Sequence, residues 1–212
     1  MPAFAAVLFD MDGLLLDTEP LWDEVIDLFC QARGQRYTHE DAVQCRGRGI
    51  EQCARYLSKQ YGFSGEISAQ VDEIDNAFER RVGGSSPCVG AEDLLRFASP
   101  LWPCALGSSS TRPLINAALG PRGWLPLFHA IVTGSDVTRK KPDPDIYLAC
   151  AEKLRVDITQ CLVLEDSVVG CDAGRRAGAH VVGVGVMGDA LLPFAHRVVT
   201  DLRVVQTWLS ER

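Results

Sequence analysis

The sequence predicts an α/β protein in which helices cover both faces of a mostly parallel sheet, with a small helical domain inserted after the first strand. Short apolar runs recur along the chain, and each is too short to form a helix. Helix-length segments with recognisable start signals separate the later runs. The interval from 18 to 83 departs from this alternation, which is otherwise typical of a parallel sheet.

Five apolar runs are the predicted strands. They are rich in valine, isoleucine and leucine, and continuous apolar runs are typical of parallel strands that are buried on both faces. We therefore expect buried strands at Ala5–Phe9, Cys104–Leu106, Ala130–Val132, Cys161–Leu164 and His180–Val184.

Two helices between the later strands are predicted from their first residues. Thr111 and Pro113 precede the segment LINAALG, and Asp143 with Pro144 precedes DIYLACAEKL. In each case a capping residue is followed by proline near the first turn, where its missing amide hydrogen costs little. We expect one helix after the second strand and one after the third.

Residues 18–83 contain three amphipathic segments, LWDEVIDLFCQAR, IEQCARYLSKQYG and SAQVDEIDNAFERRV, and the flexible GGSS follows them. They could elaborate a single core or form a separate lid. We favour the lid, because the segment leaves and returns near the end of the first strand. The predicted domains are thus a core of residues 1–17 and 84–212 and a cap of residues 18–83, with Trp22 in the core of the cap.

Composition excludes several kinds of protein. The net charge of -7 argues against a nucleic-acid binder, which needs clustered lysine and arginine to neutralise phosphates. No apolar stretch is long enough for a membrane helix, and the first residues lack the basic region of a secretory signal. The eight cysteines form no Cys-x-x-Cys pair, so we expect reduced core residues rather than a zinc site. We expect a cytoplasmic protein that is a monomer, with an oligomer as the alternative that the sequence leaves open.

Polar residues follow four of the predicted strands. Because the carboxyl ends of parallel strands meet at one edge of the sheet, these residues should converge. Each could be structural by itself, but together they predict a site where carboxylates hold Mg²⁺ and lysine with serine holds a phosphoryl group. One aspartate could then attack phosphorus while the other transfers protons. The residues are Asp10, Asp12, Ser108–Ser110, Lys141, Glu165 and Asp166.

The segments FDMDG, ALGSS, KKPDPD and VLEDS resemble, in order and spacing, the four motifs of the haloacid dehalogenase-like hydrolases, in particular the group with beta-phosphoglucomutase and small sugar phosphatases. The resemblance implies a Rossmann-like core with a helical cap after the first strand. It also implies that Asp10 is the nucleophile and Asp12 the general acid/base. It assigns Mg²⁺ to Asp10, the carbonyl of Asp12 and Asp166, with Glu165 close by, and phosphate to Ser108, Ser109 and Lys141.

The same resemblance leaves two reactions open. In beta-phosphoglucomutases a histidine where the cap begins and a cap arginine help to return the phosphoryl group to sugar; here those places hold Trp22 and Ile50, although Arg46 and Arg48 lie nearby. We therefore expect hydrolysis of a small phosphorylated metabolite, such as a sugar or polyol phosphate, rather than mutase activity. A module that binds such a metabolite without turnover is the non-enzymatic alternative. The candidates for substrate selection, which could also be an ordinary polar face, are Glu19, Arg46, Arg48 and Gln52.

Overall fold

The structure is a computed structural model that describes residues 4–45, 50–185 and 188–211. Its contacts divide the chain into two compact units, Met1–Asp17 with Ser86–Arg212 and Thr18–Ser85. The first unit carries the sheet, while the described residues of the second form helices and loops. The division after the helical unit lies at Ser85, whereas the sequence places the exit at residue 83.

Six strands of the first unit form a parallel sheet. In chain order the strands are β1 (Ala6–Phe9), β2 (Leu16–Asp17), β3 (Ser86–Pro87), β4 (Cys104–Ser108), β5 (Ala130–Thr133), β6 (Cys161–Glu165), β7 (His180–Val184) and β8 (Arg197–Val199). The parallel sheet has the order β5-β4-β1-β6-β7-β8, and β2 pairs antiparallel with β3. All five predicted strands are present, so the predicted α/β fold is confirmed. The sequence missed β8, because Arg197 interrupts what would otherwise be a short apolar run.

The register of the sheet brings the ends of three strands together. The central strand β1 pairs with β4 and β6, and Phe9 lies opposite Leu106 and Leu164. The residues that follow these three positions therefore lie side by side at the carboxyl edge of the sheet. Asp10 and Glu165 are two of them.

Helices complete both units. In chain order they are α1 (Glu19–Gln31), α2 (His39–Cys45), α3 (Ile50–Tyr61), α4 (Ile67–Val82), α5 (Ala91–Ala98), α6 (Arg112–Leu119), α7 (Asp145–Leu154), α8 (Val168–Ala177), α9 (Gly188–Leu191) and α10 (Leu202–Ser210). The two helices predicted from their start signals are α6 and α7. Helices α7 and α8 pack together and against the central strands in one buried apolar cluster. No helix in the described part of the chain is both long and apolar enough to cross a membrane.

The unit Thr18–Ser85 contains α1 to α4. Helix α4 packs against α1 and α3, and the ring of Trp22 stacks on that of Phe78 with centroids 3.7 Å apart. Trp22 thus belongs to the interior packing of this unit, as predicted. The sequence missed α2, which is one short polar segment with no extended apolar face.

A buried carboxylate ties α2 to α3. Asp41 is 2% exposed and accepts hydrogen bonds from the Thr38 amide, the Thr38 hydroxyl and the hydroxyls of Tyr56 and Tyr61, at 2.5–3.0 Å. The Thr38 hydroxyl in turn accepts a hydrogen bond from the Asp41 amide at 3.2 Å, which closes a capping box at the start of α2.

All eight cysteines keep their thiol groups, and seven of them are buried. The predicted reduced core cysteines are therefore present in both units. None of them has to be assigned to a cofactor to explain its position, since a buried thiol packs as a small apolar group.

Candidate active site

Lys141 joins two carboxylates at the carboxyl edge of the sheet. Its Nζ donates to Asp10 Oδ1 at 2.6 Å and to Glu165 Oε1 at 2.5 Å, and its side chain is only 7% exposed. Asp10 directly follows β1, and Glu165 is the last residue of β6. The charges of Asp10 and Glu165 raise the pKa of Lys141 although burial acts to lower it, so the ammonium stays charged.

Glu165 is surrounded by donors and is fully buried. Its Oε2 accepts hydrogen bonds from the amides of Asp166 and Ser167 at 3.2 Å and from the Ser167 hydroxyl at 3.0 Å. Its Oε1 accepts a further hydrogen bond from the hydroxyl of Tyr147 at 2.6 Å, in addition to that from Lys141. The start of α8 and the first turn of α7 therefore fix this carboxylate from two sides.

Three carboxyls are placed where they could share a cation. Asp10, Glu165 and Asp166 each offer an oxygen within 4.8 Å of the others. Burial raises the pKa of Asp10 to about 8, with Glu165 and Asp12 adding to it against the opposing charge of Lys141. Burial and the charges of Glu165 and Asp10 raise the pKa of Asp166 to about 9. Such oxygen-rich, mutually repelling groups fit a hard divalent cation such as Mg²⁺.

Gly13 lets Asp166 approach the loop that follows β1. A Cβ atom at Gly13 would lie 2.0 Å from Asp166 Oδ2, and its φ of +80° is a conformation that side chains rarely adopt. Glycine at this position therefore permits both the turn of the chain after β1 and the close approach of Asp166.

Asp12 lies beside a serine pair. Its Oδ2 accepts a hydrogen bond from the Ser110 hydroxyl at 2.8 Å and a longer one from the Ser108 hydroxyl at 3.4 Å. The Ser108 oxygen also accepts the Ser110 amide hydrogen at 3.1 Å. Among the described hydrogen bonds, none involves the side chain of Ser109, which is exposed. The structure thus brings Ser108 to Asp12 and leaves the Ser109 hydroxyl outside this network.

Two of the four cap candidates lie in the described part of the helical unit. Glu19 opens α1 and Gln52 lies in the first turn of α3, and both are exposed. Arg46 and Arg48 lie outside the described residues.

A comparison with known protein families finds a match over most of the chain. The family model described as haloacid dehalogenase-like hydrolase matches residues 7–184. The chain belongs to the haloacid dehalogenase-like hydrolase family. This confirms the resemblance drawn from the four motifs, and the match includes every residue of the carboxylate, lysine and serine network.

Members of the haloacid dehalogenase-like family with known names are similar along most of the chain. Fructose-1-phosphate phosphatase YqaB of Escherichia coli (strain K12) is 29% identical over 188 residues, which are 87% of this chain and 98% of that protein. A bifunctional riboflavin kinase/FMN phosphatase of Arabidopsis thaliana is 30% identical, but the match spans 48% of its length. The structure of beta-phosphoglucomutase from Clostridium difficile has a TM-score of 0.79 and 25% identity, with 98% of each chain covered.

Sequence reasoning missed Tyr147 as a part of this haloacid dehalogenase-like site and did not give the contact that Ser110 makes. Ser110 belongs to the predicted serine run, but only its position on the turn after β4 shows that it faces Asp12. Tyr147 lies among buried apolar residues of α7, so its spacing indicates an ordinary core aromatic. The sequence feature that could have indicated Tyr147 is a hydroxyl on an otherwise apolar helix face, because a buried tyrosine hydroxyl usually needs a hydrogen-bond partner.

Proposed function

We propose that this protein is a Mg²⁺-dependent phosphatase that hydrolyses small phosphomonoesters, such as sugar or polyol phosphates, through a phosphorylated Asp10. The family and the relatives named as phosphatases support a phosphoric monoester hydrolase. The observation that carries the proposal is the pairing of two aspartates in different surroundings. Asp10 is buried against Lys141, while Asp12 accepts hydrogen bonds from serine hydroxyls.

The first half of the reaction forms an acyl phosphate. An Asp10 carboxylate oxygen attacks phosphorus, the bond from phosphorus to the ester oxygen breaks, and Asp12 donates its proton to the departing alcohol. Lys141 and Ser108 hold the phosphoryl oxygens as their charge changes. Bound Mg²⁺, held by Asp10, Asp166 and the carbonyl of Asp12, would neutralise charge on the phosphoryl group and on the carboxylates.

The second half restores the enzyme. Asp12, now a carboxylate, takes a proton from water, the hydroxide oxygen attacks phosphorus, and the bond between phosphorus and Asp10 breaks. Phosphate is released, and Asp10 and Asp12 return to their starting states. Selection of the substrate by Glu19, Arg46, Arg48 and Gln52 is part of this proposal.

A phosphomutase is the second candidate, because the chain is similar in structure to a beta-phosphoglucomutase. Hydrolysis is favoured by the residue at the start of the cap. Trp22 stacks on the buried ring of Phe78, and an indole packed in this way offers no imidazole for handling a sugar hydroxyl. A module that only binds a metabolite would have no use for the proton-transferring Asp12.

Phosphate release with Mg²⁺ across a panel of sugar, polyol, nucleotide and organic-acid phosphates tests the proposal. We expect turnover of a few small esters, its loss with EDTA, and its loss in Asp10→Asn. Asp93→Asn, an exposed aspartate of α5, is the matched control and should keep full activity. Conversion of beta-glucose 1-phosphate to glucose 6-phosphate with a bisphosphate primer, together with feeble release from every ester, would instead establish the mutase.

A further inference from the structure

Tyr147 contacts both members of the Lys141–Glu165 pair. It lies in the first turn of α7 with 0% of its surface exposed, and its hydroxyl donates to Glu165 Oε1 at 2.6 Å. The Nζ atom of Lys141 lies 5.0 Å from the centroid of the Tyr147 ring, within the range of a cation–π interaction. The Tyr147 side chain thus contacts Glu165 through its hydroxyl and Lys141 through its ring.

The neighbouring backbone leaves room for this arrangement. A Cβ atom at Gly107 of β4 would lie 3.2 Å from Tyr147 Cε1, and one at Gly170 of α8 would lie 1.8 Å from Glu165 Oε1. Neither glycine has the positive φ of a turn residue. Their lack of side chains instead makes space for the phenol ring and for the carboxylate.

The hydrogen bonds of Glu165 occupy its oxygens. Its Oε1 accepts from Lys141 and Tyr147, and Oε2 accepts from two amides and the Ser167 hydroxyl. A carboxylate has about four lone-pair positions, so five donors leave none for a further ligand. In this arrangement Glu165 holds Lys141, and a cation bound between Asp10 and Asp166 would have to displace one of these donors before it could bind Glu165.

We propose that Tyr147 is a positioning residue, whose hydroxyl keeps Glu165 Oε1 directed at Lys141 and whose ring supports the ammonium, so that Lys141 stays beside Asp10. This inference rests on the proposed function for its effect on turnover. When the hydroxyl is absent, one lone pair of Glu165 Oε1 becomes free, so this carboxylate can turn away from Lys141 and bind Mg²⁺ when the ion is present. Lys141 then loses its fixed place beside Asp10.

Tyr147→Phe tests the inference, because it removes the hydroxyl and keeps the ring. We expect kcat to fall about tenfold with KM changed less than threefold, since Lys141 acts most strongly on the charge that develops in the reaction. The affinity for Mg²⁺ alone, measured by calorimetry without substrate, should be equal to or tighter than that of the wild type. Tyr61→Phe, which removes a similar hydroxyl–carboxylate hydrogen bond to Asp41 in the other unit, should leave both quantities unchanged.

The outcomes separate the two proposals. An unchanged kcat in Tyr147→Phe overturns the positioning role and leaves the phosphatase proposal intact. A parallel loss of kcat, Mg²⁺ affinity and melting temperature would show a merely structural role and also overturn it. If the wild type hydrolyses no ester, the phosphatase proposal fails. Crystal structures of the wild type and of Tyr147→Phe then test the positioning role of Tyr147. An unmoved Lys141 Nζ in the variant overturns this role, and a displaced Nζ supports it.

Discussion

Lys141 places one positive charge among Asp10, Glu165 and Asp166. The ion pairs of Lys141 with Asp10 and Glu165 are almost completely buried. A buried charge that loses its partner costs far more than an exposed one, because water cannot replace the lost interaction. Lys141 should therefore stabilise the fold, in addition to its proposed role at the phosphoryl group.

Lys141→Met should abolish turnover and destabilise the fold, because it leaves the buried carboxyls of Asp10 and Glu165 without the positively charged ammonium group. We expect the free energy of unfolding to fall by about 3 kcal/mol, as when one partner of a buried pair is removed. Urea denaturation in EDTA and in Mg²⁺ measures this, and Mg²⁺ should recover part of the loss. Lys140→Met, which alters the exposed neighbouring lysine, should differ little from the wild type.

Ser110→Ala should impair proton transfer by Asp12, because it removes the 2.8 Å hydrogen bond to Oδ2. A hydrogen bond to a charged group contributes about 1.5–3 kcal/mol, so we expect kcat to fall at least about tenfold. Ser109→Ala removes the adjacent exposed hydroxyl but keeps the backbone amide of Ser109, which could still bind phosphate, so kcat should stay within about twofold. Equal losses in both variants would contradict a specific role for Ser110. Steady-state kinetics on one good substrate decide the question.

Helix α2 is short, and the hydrogen bonds that Asp41 accepts from Thr38, Tyr56 and Tyr61 stabilise it. Burial acts to raise the pKa of Asp41, but hydrogen bonds from Tyr61, Thr38 and Tyr56 outweigh it and hold the pKa below its usual value. A carboxyl whose folded pKa lies below its unfolded value stabilises the fold above the unfolded pKa, and this stability is lost as pH falls through the folded pKa.

Asp41→Asn should therefore destabilise the protein at pH 7 by about 2 kcal/mol, since an amide accepts fewer and weaker hydrogen bonds. The difference from the wild type should shrink as pH falls below about 4, where the unperturbed carboxyl itself begins to protonate. Urea denaturation between pH 7 and pH 3 measures the difference. A difference that stays constant over this range would show that the charge of Asp41 contributes nothing.

Asp10, Glu165 and Asp166 lie where they could share a cation, so the stability of the whole protein should depend on cations if the proposed Mg²⁺ site is present. A ligand that binds only the folded state stabilises it by about 2.7 kcal/mol at a concentration 100 times its Kd. We therefore expect Mg²⁺ to raise the melting temperature and EDTA to lower it. Asp166→Asn should remove most of the Mg²⁺ effect, while Asp93→Asn should keep it. If Mg²⁺ does not change the melting temperature of the wild type, this result would argue against the cation site.

The sequence predicts those parts of the molecule that leave a local pattern. Buried parallel strands appear as apolar runs, so the five main strands and the polar residues at their ends could be placed. Strand β8 and helix α2 are too short and polar to leave such a pattern. Ser110 and Tyr147 could not be assigned, because their contacts with Asp12 and Glu165 depend on how distant segments pack. The exposure of Ser109 depends in the same way on the turn after β4.

The position of β1 in the sheet has a consequence for biosynthesis. This strand is made before its partners β4 and β6, which end at Ser108 and Glu165. During translation the wholly apolar strand β1 stays unpaired until both neighbours have been made. Until then its backbone hydrogen-bonding groups can pair with other nascent chains. Pairings so distant along the chain form slowly, because a long loop must close first. We therefore expect truncations before Glu165 to aggregate, while the chain of 212 residues folds as Asp10 and Glu165 meet.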